Sequence, residues 1–565
     1  EELLASPLAM LEGLERSAER IVIFCEAGRI AAEARGQSRL AILLERIVVE
    51  AAAPGGGAFH PKLWAIRFAP LDPGERPRMR LLVLSRNLTR DRSWDLALSL
   101  DGVITGRLRR GNRPIADLVR ALPDMATAPP AAHVPDLAAS IAADLDRVEW
   151  EPPEPFDGLA FAVHGVTAAR WSPEACRKLA VISPFVDTTA LRALAAISET
   201  LPVLVSRTEA LAELPADAHS MLERSWVMDD AAESEDGDDA ASDTVVGETL
   251  TGLHAKAYLQ DMYGGRTLVT IGSANATTAG LLPAGHNVEV LVSLTGQRGR
   301  VGSVDDLLGV EHFGRLLRPY EPVEASVVDA AAVAAERTLE EARRMIARAG
   351  FRILCAPDAT EPGAARWRVR LKAQEPLDLA CVGSVEVWPI TLGDGHARHA
   401  LEALRMGAVI DLGVQSIADI SRFVTFRLTD EEDLATALFS VGASIEGLSG
   451  NRIAAVWRAV IDSREAFLRY LRLLLANLDD PLAAQFALAA AKGATWRGGG
   501  AFDEAVLEDM VRALDGGGER LDTIQRLMRR LALAESGDDV VPADFKAIWR
   551  SFQEVLDVRE GVDAE

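Results

Sequence analysis

The feature that most constrains the fold of this chain is a weak internal repeat before residue 300. The first copy contains, in order, IVIFCEAG (21–28), FHPKLWAIRF (59–68), RLLVLSRNLT (80–89) and SWDLALSL (93–100). The second contains, in order, KLAVISPFVD (178–187), LHAKAYLQD (253–261), TLVTIGSANAT (267–277) and NVEVLVSL (287–294). In both copies, short β-branched runs of strand length alternate with stretches of helical spacing. This pattern predicts two similar α/β halves.

A chain of 565 residues is too long for one core, so we expect several domains. The fold class predicted is α/β, with the two halves packed about a pseudo-two-fold seam, then an α+β module and a helical C-terminal region. The predicted bounds are 1–150 for the first half, 151–325 for the second, 326–431 for the α+β accessory module and 432–565 for the helical region. The acidic segment 229–243 is predicted to be a disordered surface loop near the site.

Each copy carries a histidine and a lysine two residues apart, followed after the next strand by a serine and an asparagine in S-x-N. The residues are His60, Lys62, Ser85 and Asn87 in the first copy, and His254, Lys256, Ser273 and Asn275 in the second. Because residues two apart in a strand point to the same face, each His–Lys pair should project into one cleft. One imidazole can attack phosphorus while ammonium and amide groups hold the phosphate oxygens. Asp95 and Glu289 are candidates to fix the imidazole tautomers.

The second copy has His254, Lys256 and Asp261 in the pattern H-x-K-x4-D, followed by GSAN (272–275) and N-x-E. It resembles the phospholipase D superfamily, which includes phospholipases D, metal-independent nucleases and tyrosyl-DNA phosphodiesterases. The first copy is similar, but it has Arg67 where the family has aspartate. Its S-x-N-L and Trp-Asp patterns look closer to the nucleic-acid enzymes. The resemblance covers roughly residues 15–300.

The resemblance implies a metal-independent phosphodiesterase without a cofactor, and above all a nuclease that cleaves DNA or RNA through a covalent phosphohistidine. It implies His60 as nucleophile and His254 as general acid, with the reverse assignment as the alternative. Ser85 and Ser273 are candidates to donate to the phosphate, and a hydroxyl at the end of a strand is as often a turn-stabilising group. Large chains of this kind look like prokaryotic restriction or phage-defence effectors, often working beside a separately encoded ATPase or helicase.

Two other functions are compatible with the sequence. The first is a phospholipase D or transphosphatidylase acting on phospholipids, which would use an interfacial amphipathic helix. REAFLRYLRLLLANL (464–478) is the one plausible candidate for such a helix, and core packing explains it equally well. The second is a non-catalytic nucleic-acid sensor or scaffold with a degenerate site, suggested by Arg67.

The formal net charge is −24, which repels phosphate backbones and anionic membranes unless basic residues are gathered at one site. Any nucleic-acid groove should therefore be local. The sequence has no apolar run long enough to cross a membrane, and its start lacks the order of a signal peptide. We therefore expect a cytoplasmic protein, either monomeric or oligomeric.

Overall fold

The structure is a computed structural model. It describes residues 7–35, 38–70, 72, 74–87, 93–166, 170–229, 252–283, 285–321, 330–358, 366–475, 504–515, 519–533 and 537–562. These residues form a mixed α/β protein with several sheets. No described helix is both long and apolar enough to cross a membrane. Apart from Asp229, the predicted acidic loop 229–243 lies outside the described residues.

The chain divides into two compact units. The repeat unit contains residues 24–26 and 51–330, and the terminal unit contains residues 1–23, 27–50 and 331–565. Both copies of the sequence repeat, from residue 51 onward, therefore lie in a single compact unit.

Residues 1–50 belong mostly to the terminal unit, although the sequence predicted them in the first half. Their elements are α1 (Pro7–Ser17), β1 (Ile23–Glu26), α2 (Ala41–Leu44) and β2 (Val48–Ala51). Leu11 of α1 is buried in the same apolar core as Phe467. The Tyr470 hydroxyl donates to Glu12 Oε2 at 2.6 Å. Because an amphipathic helix must bury its apolar face, these contacts place α1 with the C-terminal helices.

The first sheet of the repeat unit has the strand order β3-β4-β6-β7, with antiparallel neighbours. The elements of this part are β3 (Leu63–Phe68), β4 (Arg78–Leu84), β5 (Ser93–Trp94), β6 (Ala97–Ile104), α3 (Arg113–Ala121), α4 (His133–Leu145) and β7 (Val148–Glu151). Alternate residues of β4, namely Met79, Leu81 and Val83, are buried. They pack in one core with Ile115 and Leu118 of α3. The period of two thus gives the sheet one apolar face, which helices cover.

The second sheet has eight strands in the order β16-β11-β10-β9-β13-β14-β15-β8. Its strands are β8 (Gly158–His164), β9 (Lys178–Ile182), β10 (Val203–Val205), β11 (Arg224–Met228), β13 (Ala257–Asp261), β14 (Arg266–Gly272), β15 (Glu289–Gln297) and β16 (Leu317–Pro319), and β12 (Gly252–Leu253) precedes β13. The helices are α5 (Thr188–Ala195), α6 (Thr208–Ala212), α7 (Ala216–His219), α8 (Thr278–Leu281), α9 (Arg298–Val301) and α10 (Val304–Leu307). In β9, Leu179 and Val181 belong to one core, and Ala180 and Ile182 belong to another. The sheet is therefore buried on both faces here.

In the terminal unit, two four-stranded sheets share one core that includes Val369 and Phe426. Their orders are β21-β18-β17-β24 and β20-β19-β22-β23. The elements are α11 (Ala330–Ala347), β17 (Arg352–Pro357), β18 (Arg366–Lys372), β19 (Val382–Pro389), β20 (Arg398–His399), α12 (Leu401–Met406), β21 (Ile410–Ser416), β22 (Phe423–Asp430), β23 (Thr436–Gly442) and β24 (Ser444–Glu446). Strands thus continue beyond residue 431, the predicted end of the α+β module.

Helices follow these strands to the end of the described chain. They are α13 (Arg452–Val460), α14 (Arg464–Leu475), α15 (Glu504–Asp515), α16 (Glu519–Ala532) and α17 (Ala543–Val562). Helix α14 lies in the segment considered for a lipid interface. Its Phe467, Leu471 and Leu474 are buried in the core of the terminal unit. The apolar face of α14 therefore packs inside the protein, which favours the core-packing interpretation.

Candidate active site

The two copies of the repeat exchange backbone hydrogen bonds at their His-x-Lys segments. The His60 N–H donates to the Val288 carbonyl at 3.0 Å, and the Val288 N–H donates to Ala58 at 2.9 Å. In the opposite direction, the His254 N–H donates to the Trp94 carbonyl at 2.9 Å, where β12 pairs with β5 in parallel. Val288 precedes Glu289, and Trp94 precedes Asp95. Each histidine is therefore brought to the carboxylate of the other copy.

His60 contacts both oxygens of Glu289. Its Nδ1 lies 3.1 Å from Oε1 and 3.0 Å from Oε2 of this fully buried carboxylate. Glu289 also accepts hydrogen bonds from Ser273 Oγ at 2.5 Å and Asn287 Nδ2 at 3.1 Å. A carboxylate at Nδ1 holds the proton on that nitrogen, so the Nε2 lone pair of His60 is left for a nucleophilic role.

His254 has a different environment. Its Nδ1 lies 3.3 Å from Asp95 Oδ1 and also 3.3 Å from Lys256 Nζ. Burial, reinforced by the positive charges of Lys256 and Lys62, lowers the pKa of His254 to about 3. The imidazole is therefore neutral at pH 7 in this state. Asp95 is shared, because Arg86 Nε lies 3.3 Å from its Oδ2.

The two lysines are buried ammonium groups. Lys62 Nζ donates to the His60 carbonyl at 3.1 Å, and Lys256 Nζ donates to the His254 carbonyl at 2.8 Å and the Ser85 carbonyl at 3.2 Å. Burial lowers the pKa of Lys62 to about 8 and the pKa of Lys256 to about 7, although the Glu289 charge opposes both shifts. Because a buried cation is costly unless it is paired, this arrangement favours an anionic ligand.

The serines of the two S-x-N motifs make matching contacts. Ser85 Oγ donates to Asp95 Oδ1 at 3.1 Å, as Ser273 Oγ does to Glu289. Each serine Oγ also accepts from the backbone N–H that follows the carboxylate, at 2.8 Å in the first copy and 3.0 Å in the second. A hydroxyl has one proton to donate. These contacts give both serines a role in positioning carboxylates, which the sequence did not predict.

The two asparagines differ in their surroundings. Asn87 follows β4 and is exposed. Asn275 follows β14, and its Oδ1 is buried without a hydrogen-bond partner among the described residues. Buried polar atoms almost always have a partner, so this oxygen is suited to accept a hydrogen bond from a ligand, while a phosphate oxygen would need the Nδ2 donor of the same amide. Gly272 at the end of β14 allows a close approach to β15, because a Cβ at this position would collide with the Val290 carbonyl.

Arg67 occupies the position that is Asp261 in the second copy. Arg67 Nη1 donates to Ser140 Oγ at 2.8 Å and Asp144 Oδ2 at 3.0 Å, both on α4. Asp261 Oδ1 accepts from the Val304 N–H at the start of α10, at 3.2 Å. In both copies, this position ties a helix to the sheet.

Arg207 is a charged neighbour of the site that the sequence analysis missed. Its Nε donates to the Leu253 carbonyl at 2.7 Å, next to His254. Its positive charge contributes to the lowered pKa values of His254 and Lys256. The feature of the sequence that could have identified Arg207 is its position directly after a predicted strand, because α/β sheets bind ligands at the carboxyl ends of parallel strands. No group of three or more His, Cys, Asp or Glu side chains within the described ranges could hold a metal ion.

No protein-family model matches the sequence, and no curated protein matches it by sequence. A solved structure of yeast tyrosyl-DNA phosphodiesterase matches with a TM-score of 0.28 and 13% identity, over 47% of this chain and 73% of that chain. A mutant form of the same yeast enzyme matches with a TM-score of 0.29 and 12% identity, over 47% and 73%. That enzyme belongs to the phospholipase D superfamily, which the two repeats resemble.

Proposed function

We propose that this chain is a phosphodiesterase of the phospholipase D type that cleaves nucleic acid, with DNA as the favoured substrate, at one site built from both repeats. The observation that carries the proposal is the reciprocal exchange in which His60 contacts Glu289 and His254 contacts Asp95. Such a reciprocal exchange is what two halves related by an approximate two-fold axis would produce.

In the first step, His60 Nε2 attacks the phosphorus atom of the diester. The P–N bond forms, the bond to the leaving oxygen breaks, and His254 gives that oxygen its proton. Lys62 and Lys256 hold the negative oxygens, together with the amides of Asn87 and Asn275. The products of this step are a phosphohistidine and the first alcohol.

In the second step, His254 takes a proton from a water molecule, and the resulting hydroxide attacks phosphorus. The P–N bond breaks, and the electron pair returns to His60 Nε2. Over both steps, one water molecule is consumed and a phosphomonoester is released. His254 thus ends the cycle in the protonated form in which it began the first step.

Substrate binding supplies the conditions under which His254 can act as an acid. In the substrate-free site, the pKa of His254 is about 3 because of burial and the nearby lysine charges. A phosphodiester anion beside Lys62 and Lys256 offsets those charges and raises the pKa of His254. The contact of His60 with a fully buried carboxylate supports the assignment of His60, rather than His254, as nucleophile.

The lysines also support metal independence. Two buried ammonium groups provide the positive charge that a divalent ion provides in many other phosphodiesterases. The role in prokaryotic defence and the separately encoded ATPase or helicase are predictions that rest on the family resemblance.

The proposal is tested by offering single-stranded DNA, duplex DNA, RNA and phosphatidylcholine vesicles to the purified protein in excess EDTA. His60→Ala and His254→Ala are compared with His312→Ala, which removes an exposed histidine of the repeat unit. We expect the wild type and His312→Ala to cleave nucleic acid, and each of the other variants to lose at least about 10³-fold in rate. Cleavage of vesicles alone, or activity that requires added Mg²⁺ or Mn²⁺, would refute the proposal.

The covalent step has its own readout. His254→Ala should accumulate a protein-bound, acid-labile phosphate from a ³²P-labelled substrate, because the general acid and base is missing while His60 is intact. The same label on His60→Ala would assign the nucleophile to another residue.

A further inference from the structure

Phe185 and Arg207 lie at the sheet edge that carries the second His-x-Lys motif. Phe185 follows β9, and Arg207 follows β10, its parallel neighbour. Strand β13 is antiparallel to β9, and its first residue, Ala257, pairs with Ile182 at the end of β9. The ends of β9 and β10 and the start of β13 therefore meet at one edge. The carboxyl ends of parallel strands are the usual ligand-binding edge of such a sheet.

The two side chains form a cation–π pair beside the site. Arg207 Cζ lies 5.2 Å from the centroid of the Phe185 ring. The Nε of the same arginine is bound to the carbonyl of Leu253, the residue before His254. Phe185 is nevertheless 49% exposed, although a large apolar ring gains by burial. An exposed ring and a guanidinium next to a phosphate-binding site are the components of a stacking surface.

The segment that carries Phe185 is held firmly. Ser183 Oγ donates to the Phe185 carbonyl at 2.6 Å and accepts from the Ala276 N–H at 2.9 Å. Val186 also forms a parallel bridge with Ala276, which directly follows Asn275. The ring is thus anchored to the loop that carries Asn275. A platform fixed before binding costs little conformational entropy when a ligand stacks on it.

We propose that Phe185 and Arg207 form a stacking platform for the unpaired base of the nucleotide next to the scissile phosphodiester. This inference rests on the proposed function, and it names the substrate class as single-stranded nucleic acid or an unpaired end. A base stacks on the phenyl ring through its π face, and the guanidinium adds cation–π attraction and positive charge. In a paired duplex, the bases are stacked on their neighbours, so the platform favours unpaired substrates.

The chain contains a matched control for this platform. Phe68 is 46% exposed, and Arg80 Cζ lies 5.9 Å from the centroid of its ring. Phe68 ends β3, which starts at Leu63 beside Lys62. At about 3.3 Å per residue, Phe68 lies roughly 17 Å along the strand from the catalytic end. The pair has the same chemistry but is remote from the site.

The test uses two phosphodiesters with the same leaving group, thymidine 5′-(p-nitrophenyl) phosphate and methyl p-nitrophenyl phosphate. We expect the wild type to prefer the base-bearing probe. The ratio of the two kcat/KM values should fall about tenfold in Phe185→Ala, which corresponds to about 1.4 kcal/mol. It should also fall in Phe185→Leu, which keeps apolar volume without the π face. Phe68→Ala should keep the wild-type ratio.

An unchanged ratio in both Phe185 variants, or an equal fall in Phe68→Ala, would overturn the platform. If the wild type cleaves neither these probes nor nucleic acid, the proposed function fails, and if it cleaves neither probe, binding decides the platform separately. Anisotropy then compares a labelled oligothymidylate with an abasic strand of the same length. The platform is supported if the wild type binds the strand with bases more tightly than the abasic strand and Phe185→Leu loses this preference. Equal affinity of the wild type for both strands refutes it.

Discussion

Replacing Glu289 with glutamine changes one charge in the site and almost no volume. The carboxylate accepts hydrogen bonds from His60 Nδ1, Ser273 Oγ and Asn287 Nδ2. The glutamine amide has one oxygen, which accepts, and one nitrogen, which donates. It therefore lacks the second acceptor that the carboxylate offers to these three donors. When its nitrogen faces His60, Nδ1 must become the acceptor, and the proton moves to Nε2. The lone pair that attacks phosphorus is then lost.

The size of the effect follows from these contacts. A hydrogen bond to a charged group contributes about 1.5–3 kcal/mol, or about 10- to 150-fold. In a serine protease, the analogous change from aspartate to asparagine lowers kcat about 10⁴-fold because the imidazole adopts the wrong tautomer. We therefore expect Glu289→Gln to lower kcat/KM by about 10² to 10⁴. The Glu289 charge raises the pKa of Lys62 and that of Lys256, so both pKa values should fall further in the variant.

The assay is kcat/KM for a p-nitrophenyl phosphodiester between pH 5.5 and 9 in EDTA. The alkaline limb of Glu289→Gln should move to lower pH, because the lysines lose their protons earlier. Asp95→Asn is the matched control. The Asp95 side chain is 21% exposed and its contact with His254 is longer, at 3.3 Å, so its loss should be about tenfold. Equal losses in the two variants, or a Glu289→Gln enzyme with an unchanged pH profile, would refute this reasoning.

Four further predictions follow from the site and the sequence. In the wild type, kcat/KM should fall as pH rises through about 7 to 8, because Lys256 and Lys62 lose their protons there. A flat profile up to about pH 9.5 would contradict the role of these charges. The double variant of His60→Ala and His254→Ala should be little slower than either single variant, because the histidines act as one unit; losses that multiply would contradict a shared site. Lys256→Met should raise the melting temperature most at about pH 6, measured by calorimetry. The folded pKa of Lys256 is about 7 against 10.5 in the unfolded chain, so its buried charge is costly below pH 7 and the cost declines at higher pH. Replacing 229–243, which has eight Asp or Glu residues, by a Gly/Ser linker should strengthen nucleic-acid binding at low salt, with a difference that shrinks as salt rises; equal affinity at low salt would exclude an electrostatic guard.

The local spacing of the sequence is what pairs each histidine with a lysine, because the two residues are only two positions apart. Lys62, which directly precedes β3, donates to the His60 carbonyl, and Lys256, which directly precedes β13, donates to the His254 carbonyl. Which carboxylate serves which histidine could not be predicted. That choice depends on pairing between distant segments, such as the hydrogen bond that the Ala58 N–H donates to Asn287 Oδ1, about 230 residues away. No local pattern encodes such a register.

The role of Arg207 and the packing of α1 were not predicted for the same reason, because both depend on contacts between distant parts of the chain. Arg207 follows β10 of the eight-stranded sheet, whereas the Leu253 carbonyl that it contacts is 46 residues away in β12, which pairs with β5. Helix α1 has a recognisable amphipathic pattern, but that pattern does not specify which apolar surface will cover it. Its burial with Phe467 joins residues more than 450 positions apart.

Arg67 is the departure from the motif that suggested a degenerate site, and its distance from the lysine bears directly on that interpretation. Position 67 is five residues beyond Lys62, as 261 is beyond Lys256, and each lies in the strand that follows the lysine. At about 3.3 Å per residue, this separation is roughly 16 Å along the strand. A side chain there cannot reach a phosphate held by the lysine. In both copies this position fixes a helix against the sheet. Asp261 accepts a hydrogen bond from the N-terminus of α10, and Arg67 donates one to Asp144 of α4. Because opposite charges can perform the same structural task with different partners, the arginine is compatible with an intact catalytic site.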